Sequence, residues 1–294
     1  MTARSGNWAG TRAQAFAGKH VLITGGSLGI GYALAEALAT MGAELTLVAR
    51  REAPLAEAKA ALLAVTPKCV VHTCSCDVAD GDAVAKVLGA HAAKHPVDVV
   101  INNAGVVTPG RVLDLDRAAH RRHMDVNYWG AFHVCETLLP GMIARGQGGH
   151  VVNVGSLLSV MGIYGYGAYC ASKFALYGLS ECLRAELWPH GIRVSIVLPP
   201  DTDTPMHREE LALMPPETKA ITGNVKMLSA PFVAEATLRG VARGQFEIVP
   251  GAESRFTVLA QRLVPRLVRW FCDRAQAKAA TGAPVAAPPV RLGE

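Results

Sequence analysis

The octapeptide Thr24-Gly25-Gly26-Ser27-Leu28-Gly29-Ile30-Gly31 follows a short apolar run, residues 20–24, and leads directly into a helical pattern at about 30–42. Gly25 permits a tight turn, Gly29 lets the backbone approach a pyrophosphate, and Gly31 lets the helix pack on the strand. The first helical turn offers unpaired N–H groups and a partial positive charge to phosphate oxygens. The strand before the glycines and the helix after them are the context that gives the spacing this meaning.

Six more β-rich runs lie at 45–49, 70–73, 97–102, 150–154, 193–198 and 246–249. Most are continuously apolar, as strands covered on both faces must be. Helical patterns at 52–64, 80–95, 114–145, 167–190 and 231–243 fill the intervals. The alternation predicts one α/β domain over 18–250, a Rossmann-type doubly wound parallel sheet. Residues 1–17 read as an N-terminal extension, and the Ala-, Gly- and Pro-rich residues 279–294 as a disordered tail. Residues 201–230, with Pro205, Pro215 and Pro216, break the alternation beyond a strand's carboxyl end. They are predicted to be an irregular, mobile substrate lid.

With 294 residues, 50% of them hydrophobic and 18% charged, the chain can bury a large core without staples, which excludes a disordered protein. Seven cysteines without a CxxC, and no His/Cys run of zinc spacing, point to buried thiols in a reducing compartment and to no metal. The net charge of +5 resides in residues 255–278, where six basic residues face Asp273 alone. The remainder is neutral, which argues against nucleic-acid binding. The first 18 residues lack the basic flank and apolar run of a signal peptide. The uncharged stretch 146–172 is too rich in Gly, Ser and Tyr, with His150 and Asn153, to face lipid.

The second strand's end reports on the cofactor ribose. An acidic residue there would accept from a 2′-hydroxyl, but this chain has Arg50 and Arg51, whose guanidinium groups suit a 2′-phosphate. NADPH is therefore expected over NADH. Asp77-Val78, after the third strand, is placed for contacts to the adenine. Asn103, Ala104 and Gly105 close the fourth strand with backbone available to the cofactor, while Asn102 braces neighbouring strands.

Tyr169 and Lys173 are four residues apart in a helical segment, on one face and one turn apart. A fixed ammonium favours phenolate, so the Tyr169 pKa is expected to fall, readying it to exchange a proton with an alcohol or ketone oxygen. Ser156, thirteen residues earlier at the end of the fifth strand, is placed to donate to a substrate carbonyl. Asn127 is a polar amide in an apolar helical stretch, and either orders a water behind Lys173 or is a satisfied structural amide.

Together TGGSLGIG, NNAG, Asn127, Ser156 and Tyr169-Cys170-Ala171-Ser172-Lys173 resemble the short-chain dehydrogenase/reductase superfamily over about 230 residues. The resemblance implies an Asn127–Ser156–Tyr169–Lys173 tetrad. Tyr169 would be the general acid, and Lys173 would tune it and hold the nicotinamide ribose. Ser156 would polarise the carbonyl, and Asn127 would position a relay water. It extends cofactor contacts to Ser27, Leu28, Ile30, Pro199, Thr202 and Thr204, and implies a homodimer or homotetramer. Within the superfamily, PPDTDTP at 199–205, LTLVARR and YGAYCASKFALYGLSE are similar to the 3-ketodihydrosphingosine (3-dehydrosphinganine) reductases. That similarity implies NADPH-dependent reduction of 3-ketodihydrosphingosine to sphinganine. Reduction of a steroid, a retinoid or a 3-oxoacyl thioester stays open, as does a non-catalytic NADP-binding scaffold. Leu28, where that family often has a small polar residue, and Pro54, where a basic residue can assist Arg50, depart from the pattern.

A lipid ketone needs an apolar slot, for which Val106, Leu157, Leu158, Ile163, Tyr164 and residues 206–228 are candidates. Asp201 or Asp203 is a candidate to meet its ammonium. Leu259, Leu263, Leu267 and Phe271 recur every four residues among the arginines of 255–278, with Pro265 placed to kink or split the helix. The pattern predicts a basic amphipathic helix lying on a membrane surface. The expected placement is membrane-associated with the active site facing the cytosol: at the endoplasmic reticulum in a eukaryote, and at the inner membrane or in the cytoplasm in a bacterium.

Overall fold

The computed structural model describes residues 12–222 and 227–280. After a short helix α1 (Arg12–Phe16), strands and helices alternate. They run β1 (His20–Thr24), α2 (Gly29–Thr40), β2 (Glu44–Ala49), α3 (Glu52–Val65), β3 (Val71–Ser75), α4 (Gly81–Lys94) and β4 (Val99–Asn102). Next come α5 (Arg117–Met124), α6 (Gly130–Arg145), β5 (Gly149–Val154), α7 (Gly167–Leu187) and β6 (Ile192–Val197). The remainder is β7 (Thr202–Asp203), α8 (Pro205–Leu213), α9 (Pro216–Thr222), β8 (Leu228–Ser229), α10 (Ala230–Ala242), β9 (Glu247–Ile248), α11 (Ala252–Leu263) and α12 (Pro265–Ala280).

Seven strands form a parallel sheet in the order β3-β2-β1-β4-β5-β6-β9, so the expected Rossmann-type single domain is found. Every residue of β1, β4 and β5 is buried, which is why those runs are mostly apolar and why the polar His20, Asn102, His150 and Asn153 among them are hydrogen-bonded. One face is covered by Leu34 and Leu38 of α2, Leu55 and Leu62 of α3 and Leu238 of α10. The other is covered by Leu88 of α4, Val134, Leu138 and Met142 of α6 and Leu187 of α7. Each such side chain contributes about 1.5–3 kcal/mol by leaving water. Strand order reverses between β1 and β4, opening a crevice at the strands' carboxyl ends.

Three segments depart from expectation. The helical pattern 114–145 is divided: α5 and α6 are joined by a π-helical turn, Asp125–Trp129, which carries Asn127. The described residues of 201–230 are not irregular. They form α8 and α9 and a two-stranded sheet of β7 with β8, with Thr204 and Ser229 capping α8 and α10. The prolines start these helices rather than prevent them, since Pro205 and Pro216 are each the first helical residue.

The third departure is the basic segment 255–278. It is not one membrane-lying helix. Pro265 divides it into α11 and α12, and α12 packs against α9 beside the crevice. Among the described residues no helix is long and apolar enough to cross a membrane. The membrane-associated placement expected from the sequence is overturned accordingly. Of the expected extension, residues 1–11 lie outside the described residues. So does the expected disordered tail from residue 281 on, while residues 279–280 end α12.

Candidate active site

A cleft of about 1170 Å³ opens at the carboxyl ends of β1, β4, β5 and β6. One wall is the β1–α2 turn. Gly25 and Gly29 have φ of 63° and 57°, values that favour glycine. A Cβ on Gly31 would stand 2.2 Å from the Gly25 carbonyl oxygen, so only glycine lets helix and turn meet. Leu28 is the N-cap of α2, and its side chain caps no N–H. The helix start therefore presents backbone donors and its positive pole to the cleft, as a pyrophosphate requires.

Ser27, Leu28, Ile30, Arg50 and Arg51 line the same wall. Asp77 and Val78 line an adjoining pocket with both arginines. The Asp77 carboxylate lies 3.9 Å from guanidinium nitrogens of both Arg50 and Arg122, an exposed grouping of small energetic weight. Asn103, Ala104 and Gly105 follow β4 on the cleft floor. The Asn103 amide donates to the carbonyls of Thr24 (3.0 Å) and Gly25 (3.2 Å), which ties the glycine turn to β4. Asn102 donates to Asn153 Oδ1 at 2.9 Å and braces β4 against β5, as expected. Pro199, Thr202 and Thr204 border the turn, with Thr204 against Gly29. These residues fit a dinucleotide carrying a 2′-phosphate.

The four residues singled out for chemistry converge around the end of β5. Ser156 caps a 3₁₀ turn, Leu157–Ser159, accepting from the Leu158 N–H at 3.1 Å, and its hydroxyl lies near enough to the Tyr169 phenol to lower its pKa. Lys173, one turn along α7, is buried, donates to the Val154 carbonyl at 2.8 Å, and holds its Nζ 5.7 Å from the centre of the Tyr169 ring. The Asn127 amide is engaged: Oδ1 accepts from the Val106 N–H (2.8 Å), and Nδ2 donates to the Val106 carbonyl (3.0 Å) and to Ser172 Oγ (2.9 Å). It pins the loop after β4 beside Lys173, since Gly105 lies against both Asn127 Oδ1 and Lys173 Nζ.

The electrostatics differ from the expectation. Burial pushes the Tyr169 phenol above its ordinary value and the Glu210 carboxylate adds to the shift, while the Ser156 hydroxyl opposes it. Burial thus outweighs the nearby Lys173, whose own pKa is lowered by burial to about 8. Tyr169 is therefore a neutral proton donor, not an incipient phenolate.

The opposite wall draws on Asp201 and the expected range 206–228, within which the sequence does not single out Glu210 or His207. Glu210, on α8, accepts a hydrogen bond from the Tyr166 hydroxyl and pairs with His207 Nδ1 at 3.1 Å. That contact raises the His207 pKa against the effect of burial. Burial pushes the Asp201 carboxyl up, and Glu210 adds to the shift while His207 opposes it. Asp201 and Glu210 both line the cleft. Asp203 does not: it pairs with Arg208 outside the cleft wall, at 2.9 Å. Val106, Leu157, Leu158 and Ile163 line the slot as expected, whereas the Tyr164 hydroxyl is turned to Glu217. Phe256 of α11, Val264 between the helices, and Leu267 and Phe271 of α12 complete the apolar rim. The four-residue repeat that suggested a membrane face thus sends part of its apolar side to the cleft.

The short chain dehydrogenase family profile matches residues 19–213, and the chain belongs to that family of enzymes. It is 34% identical over 271 residues to a 3-ketodihydrosphingosine reductase of Dictyostelium discoideum, covering 86% of this chain and 81% of the relative. It is 40% identical over 233 residues to a 3-dehydrosphinganine reductase of Arabidopsis thaliana, covering 78% and 69%. A short chain dehydrogenase from Burkholderia cenocepacia, crystallised with NADP, superposes with a TM-score of 0.73 at 27% identity, covering 87% of this chain and 98% of that one.

Proposed function

We propose that this enzyme uses NADPH to reduce a hydrophobic amino-ketone, 3-ketodihydrosphingosine, to sphinganine in sphingolipid synthesis. The observation that carries the substrate assignment is the pair of carboxylates, Asp201 and Glu210, set beside Tyr169 in a cleft whose substrate side also carries Leu157, Leu158, Ile163, Leu267 and Phe271. The proposed substrate has an ammonium on the carbon next to its ketone and a long alkyl chain. A cation there would offset the desolvation of both carboxylates, sharing Glu210 with His207. A steroid or retinoid ketone offers no such cation, and an acyl thioester brings anionic phosphates. The alkyl chain would cover the exposed Phe256, Leu267 and Phe271. The names of the two relatives above support the same substrate.

NADPH supplies the hydride to the ketone carbon. Gly25, Gly29 and Gly31 shape its pyrophosphate cradle, and Arg50 with Arg51 takes the 2′-phosphate. The Ser156 hydroxyl donates to the carbonyl oxygen as negative charge develops there. The neutral Tyr169 phenol gives its proton to that oxygen, a role for which its raised pKa keeps it protonated. Lys173 would hold the nicotinamide ribose, and its ammonium would stabilise the phenolate until a proton from solvent restores the phenol. Asn127, its amide spent on Val106 and Ser172, acts as a positioning residue for the loop beside Lys173. Residues 201–230 serve as the lid through α8 and α9. The half-exposed Trp129 and Phe174 provide apolar surface for the self-association expected of a homodimer or homotetramer.

The test is NADPH oxidation by purified enzyme with 3-ketodihydrosphingosine, a 3-oxoacyl thioester and a steroid ketone in parallel. Turnover with the amino-ketone at a kcat/KM well above the other two is expected. Turnover confined to the thioester or the steroid overturns the substrate assignment.

A further inference from the structure

At the opposite end of the sheet, the amino ends of three neighbouring strands gather side chains with no part in the reaction. The register of β1 on β2 sets His20 beside Glu44, and that of β2 on β3 sets Thr46 beside His72. Helix α4 crosses this edge and brings His91 and its C-cap His95, four residues apart and one turn apart. Four of the chain's ten histidines thus meet at one place, with ring centroids of His72 and His95 4.2 Å apart and of His91 and His95 4.9 Å apart.

The Glu44 carboxylate oxygen Oε1 accepts from His72 Nε2 at 3.0 Å and lies 3.8 Å from His95 Nδ1. One ligand atom from each of Glu44, His72 and His95 falls within 4.8 Å of the other two. Tetrahedral zinc with bonds of about 2.0–2.2 Å holds its ligand atoms roughly 3.4 Å apart, so small side-chain rotations close the triangle. We propose that Glu44, His72 and His95 form a binding site for a divalent transition metal of zinc type, with water completing the coordination.

The donor set has the chemistry for this. Two imidazoles and a carboxylate suit zinc, and do not suit magnesium, which demands oxygen ligands. The Glu44, His72 and His95 side chains are 36%, 27% and 37% exposed, so a hydrated ion can reach them. Behind them His20 and His91 form a fixed support. His20 Nδ1 donates to the Pro96 carbonyl (3.1 Å), which leaves its Nε2 to accept from Thr46 Oγ1 (2.7 Å). Thr46 Oγ1 in turn accepts from His91 Nε2 (2.7 Å). A bound metal would clamp β2, β3 and the end of α4 far from the cleft, stabilising the fold without touching the chemistry.

Tag-free enzyme titrated with zinc chloride by calorimetry, with metal content counted after dialysis, tests this. Expected are one zinc per chain, a melting temperature raised by several degrees, and no matching response to magnesium. His72→Gln and His95→Gln each weaken zinc binding at least tenfold, while His190→Gln, on an exposed turn away from the cluster, leaves it unchanged. No stoichiometric zinc, or wild-type affinity in the His72→Gln and His95→Gln variants, overturns the site.

Discussion

The dinucleotide wall of the cleft is made of backbone, and the substrate wall is made of side chains on helices that arrive late in the chain. On the first wall, Gly25, Gly29 and Gly31 act by lacking a Cβ, and Asn103 locks their turn to β4. On the second, Glu210, Asp201 and His207 form a charged network inside an apolar lining built from α8, α9, α11 and α12. Backbone cradles bind what every member of a family shares, and side-chain walls bind what distinguishes one substrate from another. Tyr169 stands where the two walls meet, its pKa raised by burial and partly by Glu210, and opposed by Ser156.

The comparison breaks most sharply at that meeting point. Tyr169→Phe keeps the ring and both walls but removes the proton donor. Its kcat should fall by about 100- to 10,000-fold with NADPH affinity retained, as measured by cofactor fluorescence titration. A fall in NADPH affinity of the same size would mean that the phenol serves the cofactor wall instead. One step smaller, Arg50→Ala should raise KM for NADPH by roughly 10- to 100-fold through lost charged hydrogen bonds, and leave KM for NADH nearly unchanged. Steady-state kinetics with the two cofactors checks both the direction and the selectivity.

The two walls also differ in how far they can be read before the chain is folded. Glycine positions act locally, so Gly25, Gly29 and Gly31 state their role through the strand before and the helix after. Tyr169 and Lys173 are legible for the same reason, since one helix turn fixes their relation. Glu210 carries no such mark: it is one acid among several in 201–230, and only the fold of α8 over Tyr166 and Tyr169 brings it to the reaction centre. The apolar repeat of 255–278 is legible as amphipathic, but what covers an amphipathic face is tertiary information. Pro265 and the contact of α12 with α9 turned part of it inward. The Tyr169 shift was misjudged because proximity to a cation was weighed without the burial that acts on both partners. Glu44, His72 and His95 are too far apart in sequence to show as a cluster, and the β2–β3 pairing together with the end of α4 brings them together.

Away from both walls, a smaller effect concerns stability. His150, fully buried in β5 and paired with Ser195 Oγ at 2.8 Å, has its pKa lowered to about 3, chiefly by burial and secondarily by Arg193. Its folded pKa lies below its unfolded value, so the unfolded chain takes up the proton first. This contribution is complete above the ordinary histidine range and is lost as pH falls towards 3. Between pH 7 and pH 5 it should cost about 2 kcal/mol, with His20 and His91 acting in the same direction. Urea midpoints at the two pH values measure it, and a midpoint that does not fall would contradict the buried neutral imidazole.

The substrate wall is tested most directly by one pair of ketones: 3-ketodihydrosphingosine and the same chain with hydrogen in place of the amine. The account predicts that wild-type enzyme prefers the amine-bearing ketone by roughly tenfold or more in kcat/KM, the size of a charged hydrogen bond. It further predicts that Glu210→Gln removes most of the preference by raising KM for that ketone alone. Equal kcat/KM for the two ketones in the wild-type enzyme would contradict it.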